Sequence, residues 1–329
     1  MRLSILDQSP IISGHDARSA IEETLALARR ADELGYYRYW LAEHHAIAAL
    51  ADPCPEVLLA RLGAETKNLR VGTGGVLLPY YNPFRVAETF RMLEALYPGR
   101  IDLGIGRAPG GDARTAQAVA GGGFPDASQL PQQIWQLACH LDGALPAEHP
   151  FKTVRVQPEV TSAPEIWLLG SSDYSGALAA QLGLPFSFAH FINPRGGDEV
   201  TRAYRRHFRA GRESAPRAMV CTFLICAPTD DEAERLAAPI DLRRLHMALN
   251  IDTPIPTDAE AAQHRYSTEE QRYVMSQRAR AIIGSPTTCR AALEEMARRY
   301  EADEVIVLTI TGSYATRSRS YELLIEAFQ

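Results

Sequence analysis

Eight short apolar runs alternate along the chain with segments whose apolar residues repeat at helical spacing. In the first such segment Ile21, Leu25 and Leu34 fall on one helical face, and Gly35 follows as a terminator. The runs are continuously apolar, a pattern typical of parallel strands buried on both faces. The predicted strands are Leu3–Pro10, Tyr36–Leu41, Leu69–Thr73, Arg100–Gly106, Glu165–Leu169, Phe186–Ala189, Ala218–Ala227 and Glu304–Thr309.

The alternation of strand and helix predicts an α/β fold, and eight such units predict a single (β/α)8 TIM barrel domain over residues 1–329. Two irregular stretches, Arg107–Ala163 and Asp230–Ile283, are interrupted by prolines and are predicted to be insertions after strand 4 and after strand 7. The alternative is a doubly wound open sheet with a second domain. The barrel is favoured because polar clusters follow most of the strands, whereas an open sheet gathers them at one switch point.

Composition narrows the class of protein. Of the 329 residues, 46% are hydrophobic and 22% are charged, and the net charge of −6 argues against a nucleic-acid partner. The five cysteines show no C-x-x-C spacing, which predicts a reduced, cytoplasmic chain without a disulfide framework or zinc ribbon. The N-terminus lacks a signal-peptide pattern, and no apolar run reaches the roughly 18 residues of a transmembrane helix. No membrane association is therefore expected.

Polar residues and glycines follow several of the predicted strands. In a (β/α)8 barrel the C-terminal ends of all strands face one mouth, so residues far apart in sequence converge there. This convergence is the main argument for a functional site. The candidate site residues are His44, His45, Gly74, Gly75, Arg107, Gly170, Ser171 and Ser172.

The stretch Glu43-His44-His45, directly after strand 2, is the main candidate for chemistry. Imidazole exchanges a proton near neutral pH, so His44 is predicted to be catalytic. His45 is predicted to contact a bound cofactor or to position its neighbour. The alternative is that both histidines are ordinary loop hydrogen bonders. A metal site is less favoured, because adjacent side chains on an extended segment diverge and no H-x-x-x-H pair lies nearby.

The other candidates suit a flat, anionic ligand. Gly74-Gly75 would let the backbone approach a planar ring closely, or would form an ordinary turn. Arg107 could bind phosphate or carboxylate, or form a salt bridge at the rim. Gly170-Ser171-Ser172 leads into a helix N-terminus that suits a phosphate, although capping alone would also explain the serines. Gly104–Gly110 has Pro109 where a dinucleotide fingerprint needs its third glycine, so the Rossmann reading is weak.

With these residues in view, the chain resembles the luciferase-like flavin monooxygenases, the bacterial-luciferase superfamily, over essentially its whole length. Five segments together carry the resemblance. They are Trp40–His45, Gly72–Pro79, Pro98–Arg107, Leu169–Ser172 and Gly284–Pro286.

The resemblance implies a (β/α)8 barrel that binds FMN at its C-terminal mouth. By position, His44 matches the histidine that handles protons around the reduced flavin, and Gly74-Gly75 matches the bulge beneath the isoalloxazine, often with a cis bond. Arg107 and Ser171-Ser172 match phosphate contacts. Relatives often place another arginine at the start of the helix after the first insertion, where this chain reads Ser128-Gln129-Leu130.

The resemblance also implies partners. No NAD(P)H fingerprint is visible, which is consistent with relatives that receive reduced FMN from a separate NAD(P)H:flavin reductase. Relatives pair through the helices after the second and third strands, so a homodimer is expected.

The leading hypothesis is a two-component FMN-dependent monooxygenase that uses FMNH2 and O2 on a small organic substrate. The same mouth could instead hold deazaflavin F420 for hydride transfer, or bind a flavin without turnover. A metal-dependent barrel hydrolase is a more distant alternative. The substrate itself should be recognised largely by the two insertions, Arg107–Ala163 and Asp230–Ile283, where a lid would lie.

Overall fold

Eight parallel strands close into a barrel in this computed structural model, which describes residues 1–329. They are β1 (Arg2–Asp7), β2 (Arg38–Leu41), β3 (Arg70–Leu77), β4 (Ile101–Gly106), β5 (Glu165–Gly170), β6 (Phe186–Ala189) and β7 (Ala218–Cys226), with β9 (Glu304–Leu308) as the eighth. Each of the first seven pairs with the next, and β9 lies between β7 and β1. The predicted TIM barrel is therefore confirmed, and the open sheet is excluded.

Helices connect the strands around the outside of the barrel and fill the two insertions. They are α1 (Ala17–Leu34), α2 (Pro55–Glu65), α3 (Pro83–Leu96), α4 (Ala113–Val119), α5 (Leu130–Asp142), α6 (Asp173–Leu182), α7 (Gly197–His207), α8 (Asp230–Ala248), α9 (Asp258–Gln263), α10 (Thr268–Gln277), α11 (Pro286–Tyr300) and α12 (Tyr314–Glu326). None of these twelve helices combines the length and the hydropathy that crossing a lipid bilayer requires.

Successive residues of a strand point alternately to the helices and to the barrel axis. In β2, Tyr39 and Leu41 belong to the large cluster between strands and helices. Trp40 belongs to the second cluster, inside the barrel, where its ring packs edge-on against Trp167 with the centroids 5.7 Å apart. Both faces of the strand are thus buried, which explains why the strands read as continuous apolar runs.

The N-terminal end of the barrel, opposite the mouth, is closed by buried ion pairs. The Arg38 side chain is 1% exposed, and its guanidinium contacts the carboxylates of Asp102 at 2.7 Å, Glu165 at 3.2 Å and Glu304 at 3.1 Å. A buried charge of this kind is tolerated only when it is paired and hydrogen-bonded. The ion pairs therefore tie four strands together at the floor of the barrel.

One element corrects the sequence prediction. The second insertion, predicted to be an irregular stretch from Asp230 to Ile283, ends in a ninth strand, β8 (Ala281–Gly284). This strand pairs with the C-terminal part of β7, Phe223–Cys226, whereas the N-terminal part of β7 pairs with β9. The strand contains only two large apolar residues, Ile282 and Ile283, and no glycine or proline separates it from the helical segment before it, so it left no usable signal.

Candidate active site

A deep cavity opens at the C-terminal mouth of the barrel and encloses about 1220 Å³ of space free of atoms, including the solvent at its entrance. Its walls are mostly apolar, as is usual for sites that hold a cofactor or small molecule. Seven of the eight predicted site residues line it. They are His44, Gly74, Gly75, Arg107, Gly170, Ser171 and Ser172.

His44 enters the cavity directly after β2. Its backbone N–H donates to the carbonyl of Asp52 at 3.2 Å, which fixes the segment, while its Nδ1 atom is buried and has no hydrogen-bond partner. Burial lowers the pKa of His44 to about 4. The imidazole is therefore neutral near pH 7, and one of its nitrogens is free to exchange a proton with a bound molecule.

His45 faces away from the cavity and is the one predicted residue that does not line it. Its Nε2 lies 2.8 Å from the buried carboxylate of Glu43, which also accepts hydrogen bonds from the hydroxyl of Tyr81 and, at 2.9 Å, from the backbone N–H of Leu77. Glu43 thereby joins the end of β2 to the end of β3. The three contacts hold the Glu43 side chain in place beside His44, and no group of His, Cys, Asp or Glu side chains is arranged to hold a metal ion.

Gly74 and Gly75 form an irregularity in β3, where the pairing with β4 shifts register between Thr73 and Val76 and the bond between the two glycines is cis. A Cβ atom on Gly74 would lie 2.5 Å from Leu6 Cδ1, and one on Gly75 would lie 2.6 Å from the carbonyl oxygen of Gly104. At Gly75 the obstacle is backbone, so only glycine fits there, whereas at Gly74 the tip of the Leu6 side chain would have to shift; bare backbone borders the cavity at both positions.

Arg107 stands at the rim, and its guanidinium carbon lies 5.0 Å from the ring centre of Tyr174. It forms no ion pair, so the alternative of a rim salt bridge is not realised. A guanidinium stacked on an aromatic ring keeps its N–H donors available to an anion.

The loop from β5 to α6 shows that the two serines differ. Ser172 is the N-cap residue of α6, where its hydroxyl lies 3.2 Å from Ser175 Oγ and its carbonyl accepts that hydroxyl at 2.9 Å. The hydroxyl of Ser171 makes no hydrogen bond within the chain, although its carbonyl is held by the Asn193 amide at 3.0 Å. The hydroxyl of Ser172 is therefore engaged with Ser175, whereas that of Ser171 remains free for a ligand.

Sequence reasoning missed the apolar part of the site. Leu6 and Trp40 line the cavity because they are axis-facing residues near the C-terminal ends of β1 and β2, and Phe191 lines it from the loop after β6. Tyr174, the partner of Arg107, comes from the first turn of α6. The period-2 alternation within the strands could have identified Leu6 and Trp40. The loop residues carry no comparable signal.

The chain is similar to known proteins over nearly its whole length. The chain is 37% identical to the luciferase-like monooxygenase of Escherichia coli strain K12, covering 98% of this chain and 96% of that protein. It is 33% identical to the N-acetyl-S-alkylcysteine monooxygenase of Bacillus subtilis strain 168, with 99% and 98% covered. Among solved structures, apo-MsnO8 is 38% identical and superposes with a TM-score of 0.90 over 99% of this chain and 98% of that one.

Two less similar structures share the fold but differ in cofactor. The oxygenating constituent of 3,6-diketocamphane monooxygenase from Pseudomonas putida, solved in complex with FMN, is 19% identical with a TM-score of 0.73, over 99% and 97% of the two chains. An F420-dependent secondary alcohol dehydrogenase is 12% identical with a TM-score of 0.72, over 100% and 99%. Finally, the family model described as luciferase-like monooxygenase matches residues 1–302. The chain belongs to the luciferase-like monooxygenase family of oxidoreductases.

Proposed function

We propose that the protein is the oxygenase component of a two-component monooxygenase that uses FMNH2 and O2 on a small organic substrate. The observation that carries the proposal is His44 Nδ1, a buried, unpartnered nitrogen of a neutral imidazole in the wall of the cavity. Burying such an atom costs free energy unless a ligand satisfies it. A bound molecule is therefore expected beside His44.

The residues present fit a flavin mononucleotide. Bare backbone at Gly74-Gly75 and the apolar walls at Leu6 and Trp40 suit a planar ring. Arg107 and the free hydroxyl of Ser171, next to the N-terminus of α6, suit a terminal phosphate. When bound, reduced FMN would supply the two electrons with which one atom of O2 enters the substrate and the other leaves as water.

His44 would accept and return the proton of this reaction through its imidazole, because its low pKa keeps the ring neutral at neutral pH. Glu43 and His45 would hold the segment in place through the contacts described above. The apolar wall would keep water away from the reacting atoms.

Binding of FMNH2 under anaerobic conditions tests the cofactor. Arg107→Ala and Ser171→Ala should each weaken binding, the arginine variant by roughly tenfold because it removes a charged donor to the phosphate. Arg114→Ala is the matched control, since Arg114 is an exposed arginine of α4 that does not line the cavity. Equal binding by the two arginine variants would contradict the phosphate site.

Oxygen then tests the chemistry. Mixing the FMNH2 complex with O2 should reoxidise the flavin. The rate of this reoxidation should differ between the wild type and His44→Ala. Reduced F420 offered under the same conditions should bind more weakly than FMNH2. Preferential binding of F420 would favour hydride transfer, and tight oxidised FMN without oxygen reactivity of the reduced form would favour a flavin-binding protein without turnover.

We also propose a homodimer that forms through α2 and α3 and a separate reductase that supplies FMNH2. Three large apolar side chains are exposed on these helices, Val57 at 69%, Met92 at 53% and Leu96 at 52%. Such a surface is typical of a protein contact. Sedimentation of the wild type should give the mass of a dimer, and Met92→Asp should shift it toward the monomer. A monomeric wild type would contradict the dimer.

A further inference from the structure

Ser187 is a buried serine of β6 whose hydroxyl makes no hydrogen bond within the chain. The residue is 3% exposed, and it lines the active-site cavity. Every other buried serine or threonine makes a side-chain hydrogen bond, as Thr73, Thr309 and Ser320 do. A buried hydroxyl without a partner costs free energy, so the Ser187 hydroxyl points to a ligand in the cavity.

The cavity wall around Ser187 consists of small and apolar side chains. Ser187 and Ala189 point to the same side of β6, because they are two positions apart. Cys221, on the neighbouring strand β7, pairs in register with Ala189, and both line the cavity. The loop after β6 adds Phe191 and Ile192. Ser187 is therefore the only strong hydrogen-bond donor among the side chains of this wall.

This wall lies across the barrel from the glycines of β3. Around the closed sheet, β6 and β7 are four strands away from β2 and β3 in either direction. A flavin ring against Gly74-Gly75, with Trp40 beside it, would therefore leave the wall of β6 and β7 on its far side. A substrate would lie between the ring and Ser187.

No charged side chain belongs to the wall of β6 and β7. The two charged residues that line the cavity, Glu43 and Arg107, directly follow β2 and β4. Glu43 already accepts hydrogen bonds from Tyr81 and from the backbone of Leu77. Arg107 is assigned above to the phosphate. A charged group placed against Ser187 would thus be buried without a counter-ion, at a large cost in free energy.

We propose that Ser187 selects the substrate by donating a hydrogen bond to an acceptor atom of an uncharged, largely apolar molecule. The inference rests on the proposed function, because it places the substrate on the far side of the flavin ring. The small side chains of Ala189 and Cys221 leave room beside the hydroxyl for an apolar chain or ring. The substrate class is therefore a neutral molecule with a hydrogen-bond acceptor next to an apolar body.

Two uncharged probes of nearly the same shape test the hydrogen bond on the protein without flavin. The ketone 4-phenyl-2-butanone carries a carbonyl oxygen where 3-methylbutylbenzene carries a methyl group. Tryptophan fluorescence reports their binding, because Trp40 lines the cavity. Ser187→Ala should weaken binding of the ketone about three- to tenfold, the usual effect of losing one hydrogen bond, and leave binding of the hydrocarbon unchanged. Ser187→Cys should resemble the alanine variant, because a thiol is a weak donor.

The acid 3-phenylpropanoate tests the requirement for a neutral molecule. Its carboxylate takes the place of the carbonyl and methyl groups of the ketone. The titration uses Arg107→Ala, in which the only arginine of the cavity wall is absent. At pH 7 we expect the acid to bind at least tenfold more weakly than the ketone. Equal or tighter binding of the acid would contradict the proposed substrate class.

FMNH2 distinguishes a contact with the substrate from a contact with the flavin. The wild type and Ser187→Ala should bind it equally well, because Ser187 lies on the opposite wall. Weaker binding by the variant would assign the hydroxyl to the flavin and overturn the proposal. A protein that binds no FMNH2 would contradict the proposed function, and the two uncharged probes would still decide the role of Ser187.

Ser320→Ala is the control variant. Ser320 is buried and does not line the cavity, and its hydroxyl accepts the backbone N–H of Cys226 at 2.8 Å. This variant should bind the ketone like the wild type but unfold at a lower temperature. Ser187→Ala should unfold no earlier than the wild type, because it loses no hydrogen bond within the chain. A clear loss of stability in Ser187→Ala would show that its hydroxyl is already bonded within the fold.

Three further results would overturn the proposal. They are no binding of either uncharged probe, equal affinity of the wild type and Ser187→Ala for the ketone, or an equal loss of affinity for ketone and hydrocarbon in the variant. The titrations of the probes need neither flavin nor oxygen. Their failure is therefore separate from a failure of the proposed monooxygenase.

Discussion

The burial of His44 and its lowered pKa affect the stability of the fold as well as the chemistry of the site. Its folded-state pKa of about 4 lies below the ordinary value of 6.5, so between these values the unfolded chain binds a proton that the folded chain does not. Stability from this residue is complete above pH 6.5 and is lost as the pH falls toward 4. The expected loss is at most about 3 kcal/mol, from the usual free energy per pKa unit.

His44→Gln should therefore unfold with a smaller acid sensitivity than the wild type between pH 6.5 and 4. Urea unfolding at a series of pH values measures the difference. His207→Gln is the control, because His207 is exposed on α7 and does not line the active-site cavity. Parallel profiles for the wild type and His44→Gln would show that the imidazole is not desolvated.

The pKa of Asp52, whose backbone carbonyl accepts the N–H of His44, is shifted in the opposite direction. The residue is 5% exposed, its Oδ1 accepts the N–H of Cys54 at 3.1 Å, and its Oδ2 has no partner. Burial, with the negative charges of Asp7, Glu56 and Glu43 nearby, raises the pKa of Asp52 to about 7. The folded chain holds an extra proton between pH 3.8 and 7, so this residue destabilises the fold increasingly as the pH rises through that window.

Asp52→Asn keeps the acceptor for Cys54 and removes the charge. The variant should be more stable than the wild type at pH 8 by about 1–3 kcal/mol, and the gain should vanish near pH 4. Chemical denaturation at the two pH values measures this gain in the free energy of unfolding. A gain of the same size at both would point to a cause other than the buried charge.

The bulge in β3 is the element on which the cavity wall depends. Gly75→Ala would bring Cβ within 2.6 Å of the Gly104 carbonyl oxygen, a backbone atom of the neighbouring strand that cannot move without breaking the sheet. We expect a loss of about 2–4 kcal/mol in the free energy of unfolding.

Gly106→Ala provides the comparison for that prediction. Its new Cβ would meet Leu77 Cδ2 at 3.3 Å, a flexible side-chain tip that can yield. Urea unfolding should place this variant close to the wild type and Gly75→Ala well below it. Equal stabilities for the two alanine variants would show that the β3–β4 contact is looser than described.

At the scale of elements, the sequence predicts those strands and helices that show a clear apolar pattern and a terminating glycine or proline. Continuous apolar runs identified the eight barrel strands, and Gly35 marked the end of α1, where it adopts the left-handed conformation. The four-residue β8 was missed because no glycine or proline separates Ala281–Gly284 from the helical segment before it. In the site, His44 stands at a strand end and could be predicted, whereas the contact of Arg107 with Tyr174 depends on how α6 packs and could not.

At the scale of the whole molecule, the barrel must close for the site to exist. His44, Gly75, Arg107 and Ser171 come from or directly follow four neighbouring strands, β2 to β5, and they face one cavity because the closed sheet curves around it. The buried ion pairs at the opposite end contribute to this closure. Despite burial, which raises it, the neighbouring Arg38 and two further arginines bring the pKa of Glu165 down to about 2.

Arg38→Met tests how much the buried ion pairs at the N-terminal end of the barrel contribute to the stability of the fold. The methionine can fill much of the space, but it leaves Asp102, Glu165 and Glu304 without their shared cation, so we expect a loss of about 3–5 kcal/mol at pH 7. Glu165 contributes stability above its unfolded pKa of 4.5 that is lost as the pH falls toward 2, because protonation removes its attraction to the arginines. The difference between variant and wild type should therefore shrink in acid. Denaturation at pH 7 and pH 4 measures it, and a difference independent of pH would assign the loss to packing alone.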